Sequence, residues 1–302
     1  LRLGTLAPDG TPLTKAYKEL DRELKERSGG EVRLRLYPGG AAGDEKVMVR
    51  KMRAGQLDGA VLTTTGLGVL VRQVLVLQAP GVIRSYAQLD AVRDAMADEL
   101  GAIFEREGYA LLGWGDAGEL RLFSKEPIRV PDDLKRLRPW VWRDSPVMVE
   151  LYRSIGANGV ALGVPEVYPG LQTGMIDTVM ASAMTAIGFQ WAARVQYMTD
   201  PPAGVIVGAI VMRKDALDAL PAEMRELFVG RIRSAEAKGR AAARDMDARA
   251  TAELKKRLTV IDNEPHRAAW ERAAKKAKDA LTGRLYPRDL LEKVEAIAAS
   301  VR

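Results

Sequence analysis

Cysteine and histidine, which carry much of nucleophilic and metal chemistry, are almost missing from this chain. Its 302 residues contain no cysteine and one histidine, His266. The lack of cysteine excludes disulfides, thiolate catalysis and cysteine-based zinc sites. His266 stands in NEPHRAAWERAAKKAK, whose charged amphipathic pattern predicts the start of a surface helix rather than a base or a ligand. The sequence offers no nucleophile–base pair, so we expect no enzyme, no metal site and no cofactor.

Two carboxylates, Asp116 and Glu119, are close together in GWGDAGELRLF. Paired carboxylates could act as the acid and base of a glycosidase. No sugar-binding motif accompanies them, and the glycines predict a turn, so acids on a loop are the preferred interpretation. Arg121 follows and would neutralise one of them. We expect this segment to supply polar anchors for a ligand.

Composition and charge exclude several classes of protein. Apolar residues make up 47% and charged residues 28% of the chain, which is typical of a globular protein. The longest apolar run, 66–77, is interrupted by Arg72 and Gln73, so no segment is predicted to span a membrane. The net charge of +6 comes mostly from 214–302, where 20 basic residues alternate with 15 acidic ones. This interleaving favours a solvated helix face over a nucleic-acid site.

The elements that must position any site begin with a strand, a helix and a strand. LRLGTL is followed by a turn, then by a helix pattern in TPLTKAYKELDRELKERSGG and by the alternating EVRLRLYPGG. This order predicts a parallel pair of strands and an α/β fold.

An internal repeat predicts two similar lobes. RAGQLDGAVL at 53–62 and QTGMIDTVMA at 172–181 share a helix end, a glycine, an aspartate and a buried strand. Gly55 and Gly174 can adopt the left-handed conformation that ends a helix. A matching strand, loop and helix precede each copy, which makes chance recurrence a weaker explanation. At 302 residues, two domains are also the ordinary expectation.

The chain must then pass between the lobes. The strand patterns in 120–130 and from Gly204 are the natural places, and a long helical pattern starts at Asp215. We therefore predict lobe 1 as 1–122 plus about 208–250, and lobe 2 as 123–207 plus about 251–302. The predicted fold is a two-lobed clamshell with connecting hinge strands and a long C-terminal helix.

Three segments resemble the substrate-binding proteins of tripartite ATP-independent periplasmic (TRAP) transporters. They are SGGEVRLRLYPGGAAGDEKVMVRKMRAGQLDGA, EPIRVPDDLKRLR and VPEVYPGLQTGMIDT, in that order along nearly the whole chain. The resemblance implies two α/β lobes with a ligand cleft between them, no catalysis, and delivery of the ligand to a membrane transport component. It also implies a periplasmic location, and the strand-like opening LRLGTLAP is typical of an exported protein after removal of its leader.

One position departs from the family. The segment PDDLKRL, starting at Pro131, is predicted to form a short helix. After the corresponding helix, family members usually carry an arginine that pairs with a carboxylate ligand. Alignment from Leu134 puts Trp140 at the position of this arginine. An indole offers an apolar face and one N–H donor, so it cannot replace a guanidinium fork. A shift of the alignment would instead give the role to Arg138 or Arg143.

The segment after the second repeat is unusually apolar. VMASAMTAIGFQW lies where family members often have polar residues, and four of the five tryptophans lie between 114 and 191. Core packing would explain each residue alone. Because the arginine is missing as well, we predict an apolar cavity for a hydrophobic or lipid-like ligand. At about 25 cal/mol per Å², burying such a ligand could support binding without an ion pair.

The predicted ligand-binding residues combine these apolar side chains with polar anchors that the resemblance places in the cleft. They are Asp9, Thr64, Trp114, Glu119, Arg121, Trp140, Trp142, Tyr168, Met184, Phe189 and Trp191. Asp44 and Glu45 are predicted to cap the following helix. The expected partners are a hydrophobic small molecule and a membrane transporter component, with other periplasmic carriers also considered. The alternative hypothesis keeps the fold but binds a small organic carboxylate through Arg121, Arg138 or Arg143.

Overall fold

The computed structural model describes residues 1–301, which form two compact units. Unit 1 comprises 1–71, 97–116 and 207–243, and unit 2 comprises 72–96, 117–206 and the chain from 244 onward. The lobe boundaries predicted from the sequence differ from the boundaries of these units chiefly in 72–96, which the prediction assigned to lobe 1. The predicted lobes remain a prediction.

Strands and helices alternate along most of the chain. The strands are β1 (Arg2–Thr5), β2 (Arg35–Tyr37), β3 (Gly59–Thr63), β4 (Tyr109–Ser124), β5 (Trp140–Trp142), β6 (Val160–Leu162), β7 (Thr178–Ala181), β8 (Tyr197–Asp200), β9 (Gly204–Arg213) and β10 (Thr259–Asp262). The α-helices are α1 (Pro12–Arg27), α2 (Glu45–Arg53), α3 (Thr64–Leu70), α4 (Tyr86–Arg106), α5 (Pro146–Ile155), α6 (Val164–Thr173), α7 (Ala183–Gly188), α8 (Lys214–Asp218), α9 (Ala222–Arg257), α10 (Arg267–Leu281) and α11 (Arg288–Ser300). Short 3₁₀ helices cover Arg72–Gln78, Pro131–Arg136, Trp191–Arg194 and Glu264–His266. The α/β class predicted from the sequence is confirmed.

The sheet of unit 1 has the strand order β2–β1–β3–β9. The first three strands are parallel and β9 is antiparallel to β3. Helices pack on this sheet through apolar side chains that include Leu24 of α1 and Phe228 of α9, both fully buried. Burial of such side chains contributes roughly 1.5–3 kcal/mol each and fixes the sheet under its helices.

The sheet of unit 2 is mixed. Strands β5 and β6 are parallel, a parallel bridge between Pro139 and Thr178 places β7 beside β5, and β4 is antiparallel to both β7 and β8. Strand β10 pairs in parallel with β8. The carboxyl ends of β5, β6 and β7 therefore lie at the edge where α5, α6 and α7 begin.

The predicted repeat has the same local structure in both units. Gly55 and Gly174 both have positive φ after α2 and α6. The backbone N–H of Arg2 donates to the Asp58 carboxylate in unit 1 at 2.7 Å, and that of Arg138 donates to Asp177 in unit 2 at 2.8 Å. In each copy the aspartate therefore holds the amino end of the neighbouring strand.

Strand β4 differs from the sequence prediction. The glycine-rich segment around Asp116 and Glu119 is part of this 16-residue strand rather than a turn before it. Its glycines serve close packing: a Cβ on Gly118, where φ is +98°, would lie 2.4 Å from the Cβ of Ser182. Glycine is required here because a neighbouring side chain leaves no room for a Cβ, and a sequence pattern does not show such a neighbour.

The predicted long helix is α9. It has 36 residues and so extends for about 54 Å. The residues of β4, β9 and α9 are divided between the two units. The chain therefore passes from one unit to the other within these elements.

Candidate functional site

Arg121 is a buried cation in the part of β4 that belongs to unit 2. It lies opposite Ala181 of β7, and its side chain is 4% exposed. Nη2 donates to Glu119 Oε2 at 2.8 Å and to Asp200 Oδ1 at 3.3 Å. Nε and Nη1 are buried and have no acceptor among residues 1–301. A buried donor without an acceptor costs roughly 1–3 kcal/mol, and an acceptor from outside the chain would remove that cost.

Further charges fix the surroundings of Arg121. Lys255 Nζ donates to Asp200 Oδ2 at 2.6 Å. The carboxylate of Asp247 on α9 is almost fully buried and accepts from the backbone N–H of Glu119 at 2.8 Å and of Met184 at 2.9 Å. Burial raises the pKa of Asp247, although these two N–H groups and the charge of Arg121 oppose the rise. One buried carboxylate thus joins α9, β4 and the start of α7.

Gly118 makes this junction possible, and its replacement is the first test of the site. We expect Gly118→Ala to lower the free energy of unfolding by at least about 2 kcal/mol, because the new Cβ would lie within 2.7 Å of Asp247 and strain a backbone with positive φ. Urea denaturation measures the change. The control is Gly239→Ala on α9, where a Cβ meets nothing within 4 Å and the stability should rise by up to about 1 kcal/mol. Equal stability of Gly118→Ala and the unmodified protein would contradict the packing described here.

The tryptophans of unit 2 form an aromatic cluster. The rings of Trp140 and Trp142 stack at 5.9 Å, Trp140 meets Trp191 edge-to-face at 5.4 Å, and Phe189 stacks on Trp191 at 5.4 Å. Trp140 and Trp191 are each 2% exposed, and Trp140 Nε1 donates to the Leu162 carbonyl at 3.0 Å. In the structure the faces of these two indoles and the Trp140 N–H are used in core packing, and their role in ligand binding stays a prediction.

The two alternative arginines, Arg138 and Arg143, are exposed and paired. Arg138 is 61% exposed and lies before β5, and its Nε is 3.5 Å from Asp177 Oδ2. Arg2 and Asp58 form the corresponding ion pair in the first copy of the repeat. Arg143 is 53% exposed and donates to Glu166 at 2.7 Å. Both differ from Arg121, which is buried and has two nitrogens without acceptors in residues 1–301.

The other predicted residues of unit 2 lie on or next to β5, α6 and α7. Met184 is the second residue of α7 and Phe189 directly follows this helix; both are half-buried. The hydroxyl of Tyr168 on α6 accepts from Arg194 at 2.7 Å, and Trp142 is half-buried at the end of β5. The structure thus places these residues in the same unit as Arg121 and Glu119.

Three predicted residues belong to unit 1. Asp9 is exposed and forms an ion pair with Lys18 at 2.6 Å, Thr64 is fully buried at the start of α3, and Trp114 is half-buried in β4. The Oγ1 atom of Thr64 is buried and has no hydrogen-bond partner within the described part of the chain.

Glu45 is a buried acid whose role the sequence did not show. Asp44 caps α2, as predicted, by accepting from the N–H of Glu45. Glu45 does not cap that helix: its carboxylate accepts from Thr63 N–H and Gly66 N–H, each at 2.7 Å, and from the Thr63 hydroxyl at 2.9 Å. Burial raises the pKa of Glu45 to about 8, partly opposed by these donors and helped by Asp44. Glu45 therefore fixes the junction of β3 and α3, just before Thr64.

Comparison with known proteins identifies the family. The family model described as bacterial extracellular solute-binding protein, family 7 (DctP), matches residues 3–282. The chain belongs to this family. A solute-binding protein of Verminephrobacter eiseniae is 26% identical to this family-7 protein over 245 residues, which are 80% of this chain and 73% of the relative.

Two solved structures share the fold. A TRAP periplasmic solute-binding protein from Ralstonia eutropha, with bound (S)-2-acetolactate, has a TM-score of 0.90 at 22% identity and covers 99% of this chain and 98% of its own. One from a Sulfitobacter species, with bound β-D-galacturonate, has a TM-score of 0.89 at 20% identity, with coverage of 98% and 99%. The resemblance to TRAP binding proteins predicted from the sequence is confirmed.

Membership of family 7 fixes the general role. This protein is a periplasmic solute-binding protein of the TRAP type, a class of proteins that deliver small molecules to a membrane transporter. Among residues 1–301, no helix combines the length and the apolar character needed to cross a bilayer. The periplasmic location predicted from the sequence is confirmed.

Proposed function

We propose that this family-7 protein binds a small organic acid whose carboxylate is held by Arg121. The observation that carries the proposal is the guanidinium itself, 4% exposed and with Nε and Nη1 lacking acceptors in the described chain. Charge-assisted hydrogen bonds to a carboxylate are roughly twice as strong as neutral ones, and desolvation strengthens them. This is the sequence-based alternative with Arg121, rather than Arg138 or Arg143, as the ligand group.

The hydrophobic-ligand hypothesis loses its main support. It depended on Trp140 facing the ligand, and Trp140 is instead packed between Trp142 and Trp191. The ligands of related structures also favour an acid, since β-D-galacturonate, D-glucuronate and orotic acid are all carboxylic acids. The tryptophans then act as a rigid core that supports the carboxyl edge of the sheet.

A thermal-shift screen tests the choice between acid and lipid. We expect at least one of D-galacturonate, D-glucuronate, (S)-2-acetolactate and orotate to raise the melting temperature of delipidated protein by several degrees, because a ligand at 100 times its Kd adds about 2.7 kcal/mol of stability. Palmitate and cholesterol should leave it unchanged. Stabilisation by palmitate or cholesterol, with no response to any acid, would overturn the proposal.

A further inference from the structure

Negative charge exceeds positive charge around Arg121. Arg121 contacts the carboxylates of Glu119 and Asp200, Lys255 contacts that of Asp200, and the Asp247 carboxylate accepts from the backbone N–H of Glu119. With all five ionised, two cations meet three anions. A ligand that brought only a carboxylate would increase the excess, and like charges at close range oppose binding.

A hydrogen-bond donor on the ligand would give one of these carboxylates a partner, and an ammonium group would also cancel the charge that the ligand adds. Glu119 is one-third exposed, and only its Oε2 is used, by Arg121. Its Oε1 accepts no hydrogen bond from any of residues 1–301. A carboxylate can accept about four hydrogen bonds, so Glu119 has room for a donor from the ligand beside the arginine that binds the ligand's acceptor.

We infer that the ligand carries a hydroxyl or ammonium group on the carbon next to its carboxylate, and that Glu119 accepts a hydrogen bond from this group. The inference rests on the proposed function, since Arg121 must first bind the carboxylate. Glu119 and Arg121 lie two residues apart in β4 and their side chains are in contact, so groups on adjacent atoms of one molecule can reach both.

Asp247 acts as a positioning residue for this recognition. It holds the backbone N–H of Glu119 at 2.8 Å, in a strand that Gly118 brings against Ser182 and Asp247. The Glu119 carboxylate is thereby presented from a fixed backbone, which lowers the entropy that binding has to remove.

Three acids that differ only at one carbon provide the test: L-lactate, L-alanine and propanoate. We expect calorimetry to show that lactate or alanine binds at least about tenfold more tightly than propanoate, in line with a charge-assisted hydrogen bond. Glu119→Gln should abolish this preference for alanine and reduce it for lactate, whose hydroxyl the amide oxygen can still accept. Propanoate should bind more tightly to this variant, because a negative charge beside Arg121 is removed. Asp247→Asn should also reduce the preference, because the backbone of Glu119 is then held less firmly. A residue that only stabilised the fold would leave the preference unchanged. Glu126→Gln, an exposed acid of the same unit, should leave the preference unchanged.

The variants also separate hydroxyl from ammonium. An ammonium group depends on the charge of Glu119, so Glu119→Gln should weaken alanine far more than lactate if the ligand is an amino acid. Equal affinity for all three acids, a preference that Glu119→Gln leaves unchanged, or no binding by any of them would overturn the inference. If Arg121→Lys abolishes the binding of propanoate while the three acids bind alike, the proposed function stands and the inference about Glu119 fails.

Discussion

Replacing Arg121 by glutamine is expected to weaken the binding of the acid ligand by at least about a hundredfold. The variant removes a charge and the two N–H groups that have no acceptor in the described chain. Hydrogen bonds to charged groups contribute roughly 1.5–3 kcal/mol each, and 1.4 kcal/mol corresponds to a factor of ten in affinity. Titration calorimetry with the best acid from the screen measures the change.

Companion variants keep this result interpretable. Glutamine leaves Glu119 and Asp200 without their cation, so Arg121→Gln is also expected to be less stable. Arg121→Lys retains the charge but not the planar fork, and it should still lose at least about tenfold in affinity. Arg138→Gln and Arg143→Gln should bind within about twofold of the unmodified protein, since both side chains are exposed and paired with acids. Full affinity in folded Arg121→Gln would remove Arg121 from the site.

The local repeats of the fold were accessible from the sequence. Gly55 and Gly174 end their helices with positive φ, and Asp58 and Asp177 hold neighbouring strands through the same type of backbone contact. These features depend on a few adjacent residues, so a repeated motif specifies them. Family membership followed from the same segments.

The side of strand β5 on which the Trp140 ring lies could not be predicted from such local motifs. Alignment put it at the position of a ligand-binding arginine, but its ring is buried by Trp191, which lies 51 positions further along the chain. Which side of a strand faces the core depends on such distant partners. Arg121 was predicted as a ligand-binding residue and as one of three arginines that could hold a carboxylate. The sequence could not choose among the three, because neither the burial of Arg121 nor its two nitrogens without acceptors in residues 1–301 can be read from composition or spacing.

Glu45 shows the same limit for a buried acid. The sequence places it at the start of α2, where acidic residues commonly favour the helix dipole. Its actual partners, Thr63 and Gly66, come from the next strand and helix. The local rule was right for Asp44 and wrong for Glu45, because tertiary contacts decided where the second carboxylate points.

The buried Glu45 predicts that stability falls as the pH rises from about 5 to about 8. Its folded pKa of about 8 lies above the ordinary value of 4.5, so in this range the folded protein keeps a proton that the unfolded chain has released. The contribution of Glu45 is fully present below about pH 4.5 and is lost as the pH approaches 8. Within this window the loss is about 1.4 kcal/mol per pH unit, on the order of 4 kcal/mol in all.

Comparison with Glu45→Gln isolates this effect, because glutamine does not titrate and other groups contribute equally to both proteins. Urea denaturation at pH 5, 6, 7 and 8 should show the unmodified protein losing stability relative to Glu45→Gln at each step. Glutamine has only one acceptor oxygen, so it cannot keep the hydrogen bonds from both Thr63 and Gly66; this loss lowers the whole curve of the variant without changing its slope. Asp58→Asn is the control: burial raises the pKa of Asp58, but the bonds from Arg2 outweigh it and hold that pKa below 3.8, outside the window. Parallel curves for the unmodified protein and Glu45→Gln would mean that Glu45 is charged in the folded protein throughout, with its two backbone N–H donors outweighing burial.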